Sequence, residues 1–252
     1  MAAGKGSGQR VVNKKKPTQQ RGFYILLALV IVAGGVFIGT KVTGTRTPFV
    51  RDTDVMPAPA VGYLLGDPKA PVQVAEFADF ECPACAQFST ITEPDVRTRL
   101  VQTGKVAYRY YDFPLSIHRN TLVASLAAAC ANDQGRFWEM HDALFFNQPE
   151  WSSEATDNPM KFFTQYAQQM GLDVPKWRQC VNAQTHLATI VGNRKEGERL
   201  GVSQTPTFVI GRKVIPGAIS YDEFRARVDT AAAAAAAAAP PSKSSGASTK
   251  KP

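Results

Sequence analysis

Residues 76–88 read EFADFECPACAQF, and Cys82 and Cys85 stand two residues apart at the end of an apolar run. The preceding VQVAEF (72–77) is a strand candidate, and residues 86–99 space their apolar side chains as a helix would. The pair therefore falls where a strand hands over to a helix. A C-x-x-C pair serves as a redox dithiol, half of a zinc site, a haem attachment point or a structural disulfide. Zinc usually takes two close pairs, but the other two cysteines, Cys130 and Cys180, lie far apart in sequence, and no C-x-x-H or H-x-x-x-H partner appears. Haem attachment needs histidine at position 86, where the chain has Ala86. A purely structural disulfide stays open, although C-x-x-C after a strand is typical of redox sites.

The placement has a physical purpose. The first turn of a helix leaves backbone N–H groups unpaired and carries partial positive charge. An anion there is stabilised, so the thiolate of the leading Cys82 is favoured and its pKa lowered. Two intervening residues also let one helical turn bring Cys85 close enough to close a small disulfide ring. Pro83 suits the first turn, because its missing N–H would have been unpaired anyway.

The whole-chain charge of +8 invites a nucleic-acid reading, yet six bases and no acid occupy the first 21 residues, and three more lysines lie in 231–252. The segment between carries 20 bases against 21 acids, a net charge of −1. The positive charge belongs to the ends, not to a folded face that could track phosphates. Residues 22–40, GFYILLALVIVAGGVFIGT, hold no charge; as a helix rising about 1.5 Å per residue they approach the roughly 30 Å hydrocarbon core. A cleaved signal peptide would have a shorter apolar region, of about 7 to 15 residues, and a small-x-small exit. This one is longer and lacks a clear Ala-x-Ala. The expectation is an uncleaved, single-pass anchor, with a basic cytoplasmic N-terminus at 1–21 and everything after Lys41 outside the cell membrane. All four cysteines then lie where disulfides persist.

Residues 41–61 contain three prolines and no sustained periodicity, and read as a linker. A domain is expected over 62–235 and a disordered, low-complexity tail over 236–252, with the alanine run prolonging a terminal helix. Within the domain, VAYRYYDF (106–113) is a second strand candidate. Helical spacing follows near 120–131, 134–146, 160–170, 174–183 and 185–200, with Asp173 placed to cap one of these helices. TFVIG (207–211) and VIPG (214–217) around a turn at Gly211 suggest a hairpin, and helix resumes at Tyr221. No internal repeat is present. The order strand, helix, strand, helical block, hairpin, helix predicts an α/β fold, a mixed sheet with helices on it.

The opening stretch, the preceding LGDPKAPV (65–72) and the later GVSQTPTFVIG (201–211) together resemble the DsbA-like branch of the thioredoxin superfamily, exported thiol:disulfide oxidoreductases. The likeness covers about residues 62–230. It requires an acid six residues before the first cysteine, C-P-x-C, and a Thr-Pro about 120 residues later. It implies a thioredoxin-like fold with a helical insertion at about 120–200. By position, Cys82 resembles the exposed reactive cysteine and Cys85 its buried partner. Pro206 matches a proline that is cis in the family, leaving the backbone of Thr205 to pair with an extended substrate strand. Pro83 and Ala84 would face that substrate too. Glu76 matches the acid beneath the site that relays a proton to the inner cysteine. The plainer readings are a turn or strand-edge proline at Pro206 and a surface strand carboxylate at Glu76. The dipeptide departs from strongly oxidising members, which carry histidine in the second position to help hold the thiolate; Ala84 cannot do that.

The resemblance implies an oxidase that introduces disulfides into reduced exported proteins and is reoxidised by a quinone-linked membrane oxidase. It implies no organic cofactor and no metal. A reductase or isomerase would use the same atoms with the opposite redox poise. A tethered peptide-binding or chaperone module, with the disulfide only structural, is the alternative from another class.

Cys130 and Cys180 both fall in expected helices of the insertion. A bridge between them would close a loop of about 50 residues, stabilising the domain by about 4 kcal/mol in the chain-entropy model. A second redox shuttle lacks a helix-start thiol, and two unpaired buried cysteines are the remaining alternative. His118, His141 and His186 are scattered and read as surface or core residues. Trp138, Phe145 and Phe146 follow helical spacing and read as core.

Overall fold

The computed structural model describes residues 55–238 together with Met1. A short strand, β1 (Tyr63–Leu65), leads into β2 (Val72–Ala78), where side chains at 72, 74 and 76 take one face and those at 73, 75 and 77 the other. β2 pairs in parallel with β3 (Val106–Asp112) and antiparallel with β4 (Thr207–Ile210), which continues into β5 (Lys213–Pro216). β1 pairs antiparallel with β3, giving the sheet order β1-β3-β2-β4-β5. β1 was not legible in the sequence, because three half-buried residues are too few to display a period.

The connection from β2 to β3 is one helical rod. It begins as α1 (Pro83–Gln87), loosens into a π turn (Phe88–Thr92), resumes as α2 (Glu93–Val96) and ends in a second π turn (Arg97–Val101). The uniform helix expected over 86–99 is thus interrupted. Pro94 accounts for the first interruption: it has no N–H to give the carbonyl four residues back, and its ring crowds that carbonyl. The Glu93 N–H bonds five residues back, to Phe88 O.

The insertion between β3 and β4 contains α3 (Thr121–Asn132), α4 (Phe137–Phe146), α5 (Gln148–Trp151), α6 (Met160–Gln169), α7 (Val174–Asn182) and α8 (Leu187–Arg199). α4 starts later than the expected residue 134, because the chain first turns through Gly135 at φ +72°. Asp173 caps α7 as expected, its side chain accepting from Lys176 N. α9 (Tyr221–Ala238) continues well into the alanine run.

Alternation along the strands sorts the layers. Val72, Val74, Val106, Tyr108, Phe208 and Ile210 face one way and pack with Phe88, Val96 and Leu100 of the rod and with Phe224 and Val228 of α9. Phe77 faces the other way, with Phe113 and Val202. Here α8 comes so close that a Cβ on Gly197 would stand 2.7 Å from the Phe113 ring and 2.9 Å from Phe77. A larger core, with Trp151, Trp177, Phe163 and Phe145 buried, joins the insertion to the sheet end that carries the cysteines. Phe146, expected in that core, is 76% exposed at the last position of α4.

The expected membrane span at 22–40, the basic segment at 1–21, most of the linker and the tail beyond 238 lie outside the described residues. Among the described residues, no helix is long and apolar enough to cross a membrane.

Candidate active site

The end of β2 and the start of α1 fix the cysteine pair. Asp79 closes the turn: its Oδ1 accepts from Glu81 N at 2.7 Å, its Oδ2 accepts from Leu115 N at 2.8 Å, and its backbone oxygen accepts from Cys82 N at 3.0 Å. Glu81 ties the turn to the insertion, accepting from Asn120 N at 2.7 Å and from Ser153 N. Gln148 of α5 donates to Phe80 O at 2.8 Å and Cys82 O at 3.0 Å. These anchors were missed in the sequence. The available signal was two acids, Asp79 and Glu81, standing in an otherwise apolar run and therefore needing buried partners.

Cys82 caps the N-terminus of α1 and Pro83 occupies the first turn, as expected. Both cysteines are free thiols. Cys85 is fully buried, and Cys82, expected to be exposed, retains only 8% of its surface. The segment before β4 explains this cover: the Thr205–Pro206 peptide bond is cis, and the Thr205 carbonyl oxygen lies 3.4 Å from Cys82 Sγ.

The two thiols are driven apart in acidity. The Cys82 pKa is lowered from 9.0 to about 6, first by the Cys85 thiol donating to it, then by Thr205 and by the backbone N–H groups of Cys85 and Ala84, against the cost of burial. Burial is the main cause holding the Cys85 thiol well above its ordinary value, with the Cys82 sulfur and the Glu76 charge adding to it. Thr205 contributes in a way that depends on ionisation. A Cys82 thiol can donate to the Thr205 carbonyl, but a thiolate has no proton to donate, and the buried Thr205 hydroxyl, without a partner of its own, is then the available donor.

Glu76 is no surface carboxylate: it is 1% exposed, on the face of β2 that carries the rod. Its Oε2 accepts from the Tyr108 hydroxyl at 2.6 Å. Burial first, and the Glu93 charge second, raise its pKa from 4.5 to about 8. The family resemblance put Glu76 beneath the site, but nothing in the sequence showed that Glu93 and His141 converge on it from two other elements. His118, read as unremarkable, sits at the mouth with Nδ1 2.8 Å from Asp79 Oδ2, and it borders a cleft of about 530 Å³ beside Pro83 and Ile117.

Cys130 and Cys180 form a disulfide, with Cα atoms 5.9 Å apart, joining α3 to α7. His186 lies beside it, but the bonded sulfurs offer no thiolate to a metal. Glu76, Glu93 and His141 also bring donor atoms within 4.8 Å of one another. There the Arg97 guanidinium, 2.7 Å from Glu93, already neutralises one carboxylate.

A mixed sheet, a helical insertion and a cysteine pair of divided acidity at a helix start define a thioredoxin-fold protein. The family model described as Thioredoxin matches residues 60–230. The chain belongs to that family, and its fold is similar to that of DsbA proteins. The structure of Wolbachia pipientis alpha-DsbA1 superposes with a TM-score of 0.63 at 24% identity, covering 75% of this chain and 98% of that one. In sequence, the chain is 24% identical to Disulfide bond formation protein D of Bacillus subtilis over 170 residues, 66% of this chain and 75% of the relative. It is also 34% identical over 170 residues to a segment of Na(+)/H(+) antiporter NhaA 3 of Salinispora tropica. That match takes in 67% of this chain but spans only 24% of the antiporter's length.

Proposed function

We propose that the protein is a thiol:disulfide oxidoreductase acting as an oxidase on reduced exported proteins, held at the outer side of the cell membrane by residues 22–40. The observation that carries this reading is the split between an acidic Cys82 and a buried, weakly acidic Cys85. A substrate thiolate attacks Cys82 Sγ of the oxidised pair, the Cys82–Cys85 bond breaks, and the electron pair leaves on Cys85. Glu76, protonated near neutral pH, supplies the proton that Cys85 retains. A second substrate thiolate attacks the substrate sulfur of the mixed disulfide, and Cys82 departs as a stabilised thiolate. The substrate gains a disulfide and the enzyme keeps two electrons, to be removed by a quinone-linked membrane oxidase.

The same split moves the poise in the oxidising direction. Lowering the Cys82 pKa from 9.0 to about 6 stabilises the reduced form at pH 7 by about 1.4 kcal/mol, roughly 30 mV toward a stronger oxidant. Thr205, beside Cys82, supports the assignment of its backbone to substrate pairing, with Pro83 and Ala84 on the open side of the same sulfur. The deciding experiment incubates the full chain in detergent with a reduced test protein. Wild type should form its disulfides, and Cys82→Ser should not; an unchanged rate in the variant would leave only a binding module. Equilibration with glutathione separates oxidase from reductase or isomerase.

A further inference from the structure

Behind the cysteine pair, two carboxylates and an imidazole meet in the interior, and each has one atom without a partner. Glu76 Oε1 from β2, Glu93 Oε2 from α2 and His141 Nε2 from α4 are buried and form no hydrogen bond, and each of the three residues brings one ligand atom to within 4.8 Å of the others'. His141 Nε2 stands 3.8 Å from Glu93 Oε2. The remaining atoms of all three are fixed: the Tyr108 hydroxyl donates to Glu76 Oε2, Arg97 Nε donates to Glu93 Oε1 at 2.8 Å, and His141 Nδ1 stands 2.8 Å from Asp142 Oδ1. Nδ1 faces both Asp142 Oδ1, which accepts, and Arg97 Nη2 at 3.3 Å, which donates, so the imidazole proton has a place on either ring nitrogen, and Nε2 is the one turned toward Glu93.

With Glu76, Glu93 and Asp142 all ionised, the single charge of Arg97 would leave two negative charges uncompensated. Arg97 reaches Glu93, Asp142 and the edge of His141, and among the described residues it is the only fixed cation bonded to the cluster. Two buried carboxylates this close do not both stay ionised beside a single cation. One proton on the pair leaves a single excess charge, which half-exposed Asp142 carries toward solvent, and also supplies the hydrogen bond that the unpartnered oxygens lack. The other titratable groups facing the pocket are Tyr108 and Tyr110 of β3, both held protonated chiefly by burial, and the two cysteines at the rod's start. Burial and the Glu93 charge raise the Glu76 pKa, while the Tyr108 hydrogen bond and Arg97 work against them.

We infer that Glu76 and Glu93 hold one proton in common, and that His141 with Asp142 is the route by which this proton exchanges with solvent. Asp142 is half-exposed, whereas His141 and Glu93 are buried, so the chain of groups runs from the surface to the acid behind Cys85 without passing Cys82. The inference rests on the oxidoreductase reading for its use and deepens it. When a substrate thiolate bonds to Cys82 Sγ and the Cys82–Cys85 bond breaks, the electron pair goes to Cys85 Sγ and the shared proton follows it. The carboxylate pair regains a proton from solvent through Asp142 and His141. Oxidation of the dithiol runs the same path in reverse. Glu93 and His141 are positioning residues in this scheme, since they touch neither substrate nor sulfur.

The test begins with infrared spectroscopy of the oxidised full chain at neutral pH, which needs no activity. A protonated-carboxyl band should be present, and should disappear in both Glu76→Gln and Glu93→Gln. In deuterated water the band should shift, at least tenfold more slowly in His141→Gln than in wild type. For the reduced chain, the pH profile of mixed-disulfide formation should show an inflection above neutrality. Glu93→Gln should move that inflection down by a unit or more and leave the Cys82 titration near 6 in place. Absence of the band, an unmoved inflection, or unchanged exchange in His141→Gln overturns the inference. So does one tightly retained zinc per oxidised chain that Glu93→Gln releases, because the three atoms would then be metal ligands. A band that behaves as described in a chain that exchanges no disulfides sinks the catalytic reading while the shared proton stands.

Discussion

The Cys82 sulfur and the Thr205 carbonyl oxygen are 3.4 Å apart across 123 residues of sequence, and the unpartnered Thr205 hydroxyl belongs to the same residue. Ionised Cys82 is therefore held by donors from two separate segments, the Cys85 thiol and α1 N–H groups on one side and Thr205 on the other. Thr205→Val keeps the shape and removes one donor. A hydrogen bond to a charged group contributes roughly 1.5–3 kcal/mol, and one pKa unit is about 1.36 kcal/mol. The Cys82 pKa should rise by about one unit, read from thiolate absorbance or from the pH dependence of alkylation. A variant that titrates with wild type assigns the acidity to α1 alone.

Glu76 gives stability a pH dependence that can be measured without chemistry at the cysteines. In the oxidised protein neither Cys82 nor Cys85 titrates. A carboxyl raised from 4.5 to about 8 on folding binds its proton more tightly in the folded chain. Its contribution is full below pH 4.5 and is lost as pH rises toward 8, with a slope of at most about 1.4 kcal/mol per pH unit. Asp112, raised from 3.8 to about 6 chiefly by burial, adds a decline of the same sign at lower pH in any variant that retains it. The difference between wild type and Glu76→Gln isolates Glu76. The variant should gain on wild type between pH 5 and 8 in urea midpoints, and parallel curves would show that Glu76 stays ionised.

The face on which Glu76 lies was legible in the sequence, because a period of two places 72, 74 and 76 together and the first two are apolar. The dithiol and its helix start were legible for the same kind of reason: turn and cap chemistry is local. Glu93 and His141 were not. Each looked like an ordinary helical position, and periodicity says which face a side chain takes but not which distant side chain it meets across a layer. The π turn before Pro94 adds to the difficulty, since one extra residue in that turn shifts where Glu93 points. Phe146 failed in the opposite sense: its spacing suggested core, yet no neighbouring element covers it.

His118 stands on Asp79 at the mouth of the site, where a charged imidazole would favour the Cys82 thiolate as Ala84 cannot. Its pKa is raised, first by the hydrogen bond to Asp79, and the Cys82 charge also acts on it. Asp79 is fully buried, whereas His118 keeps 17% of its side-chain surface, so the imidazole can be removed while the turn that Asp79 closes remains. His118→Ala should raise the Cys82 pKa, with the larger effect on alkylation rate below the His118 pKa, where the imidazole is charged. A rate profile unchanged at low pH would mean that solvent screens this pair completely.

The disulfide between Cys130 and Cys180 offers a prediction separate from the redox site. It ties α3 to α7 across a sequence separation of 50. Trp177, fully buried on α7, makes a second tie by donating from Nε1 to Ala127 O at 2.9 Å. Two such connections between the same helices mean that loss of the bridge should loosen the insertion without unfolding the sheet. The chain-entropy model assigns a loop of this length about 4 kcal/mol, and the Trp177 contact should remain in the folded state of a Cys130→Ala/Cys180→Ala protein. That variant should unfold at lower urea by an amount near this figure and still react at Cys82, with its thiolate pKa near 6. A loss of Cys82 acidity would instead show that the α3–α7 tie holds the active-site turn in place through Asn120, which begins α3 and donates to Glu81.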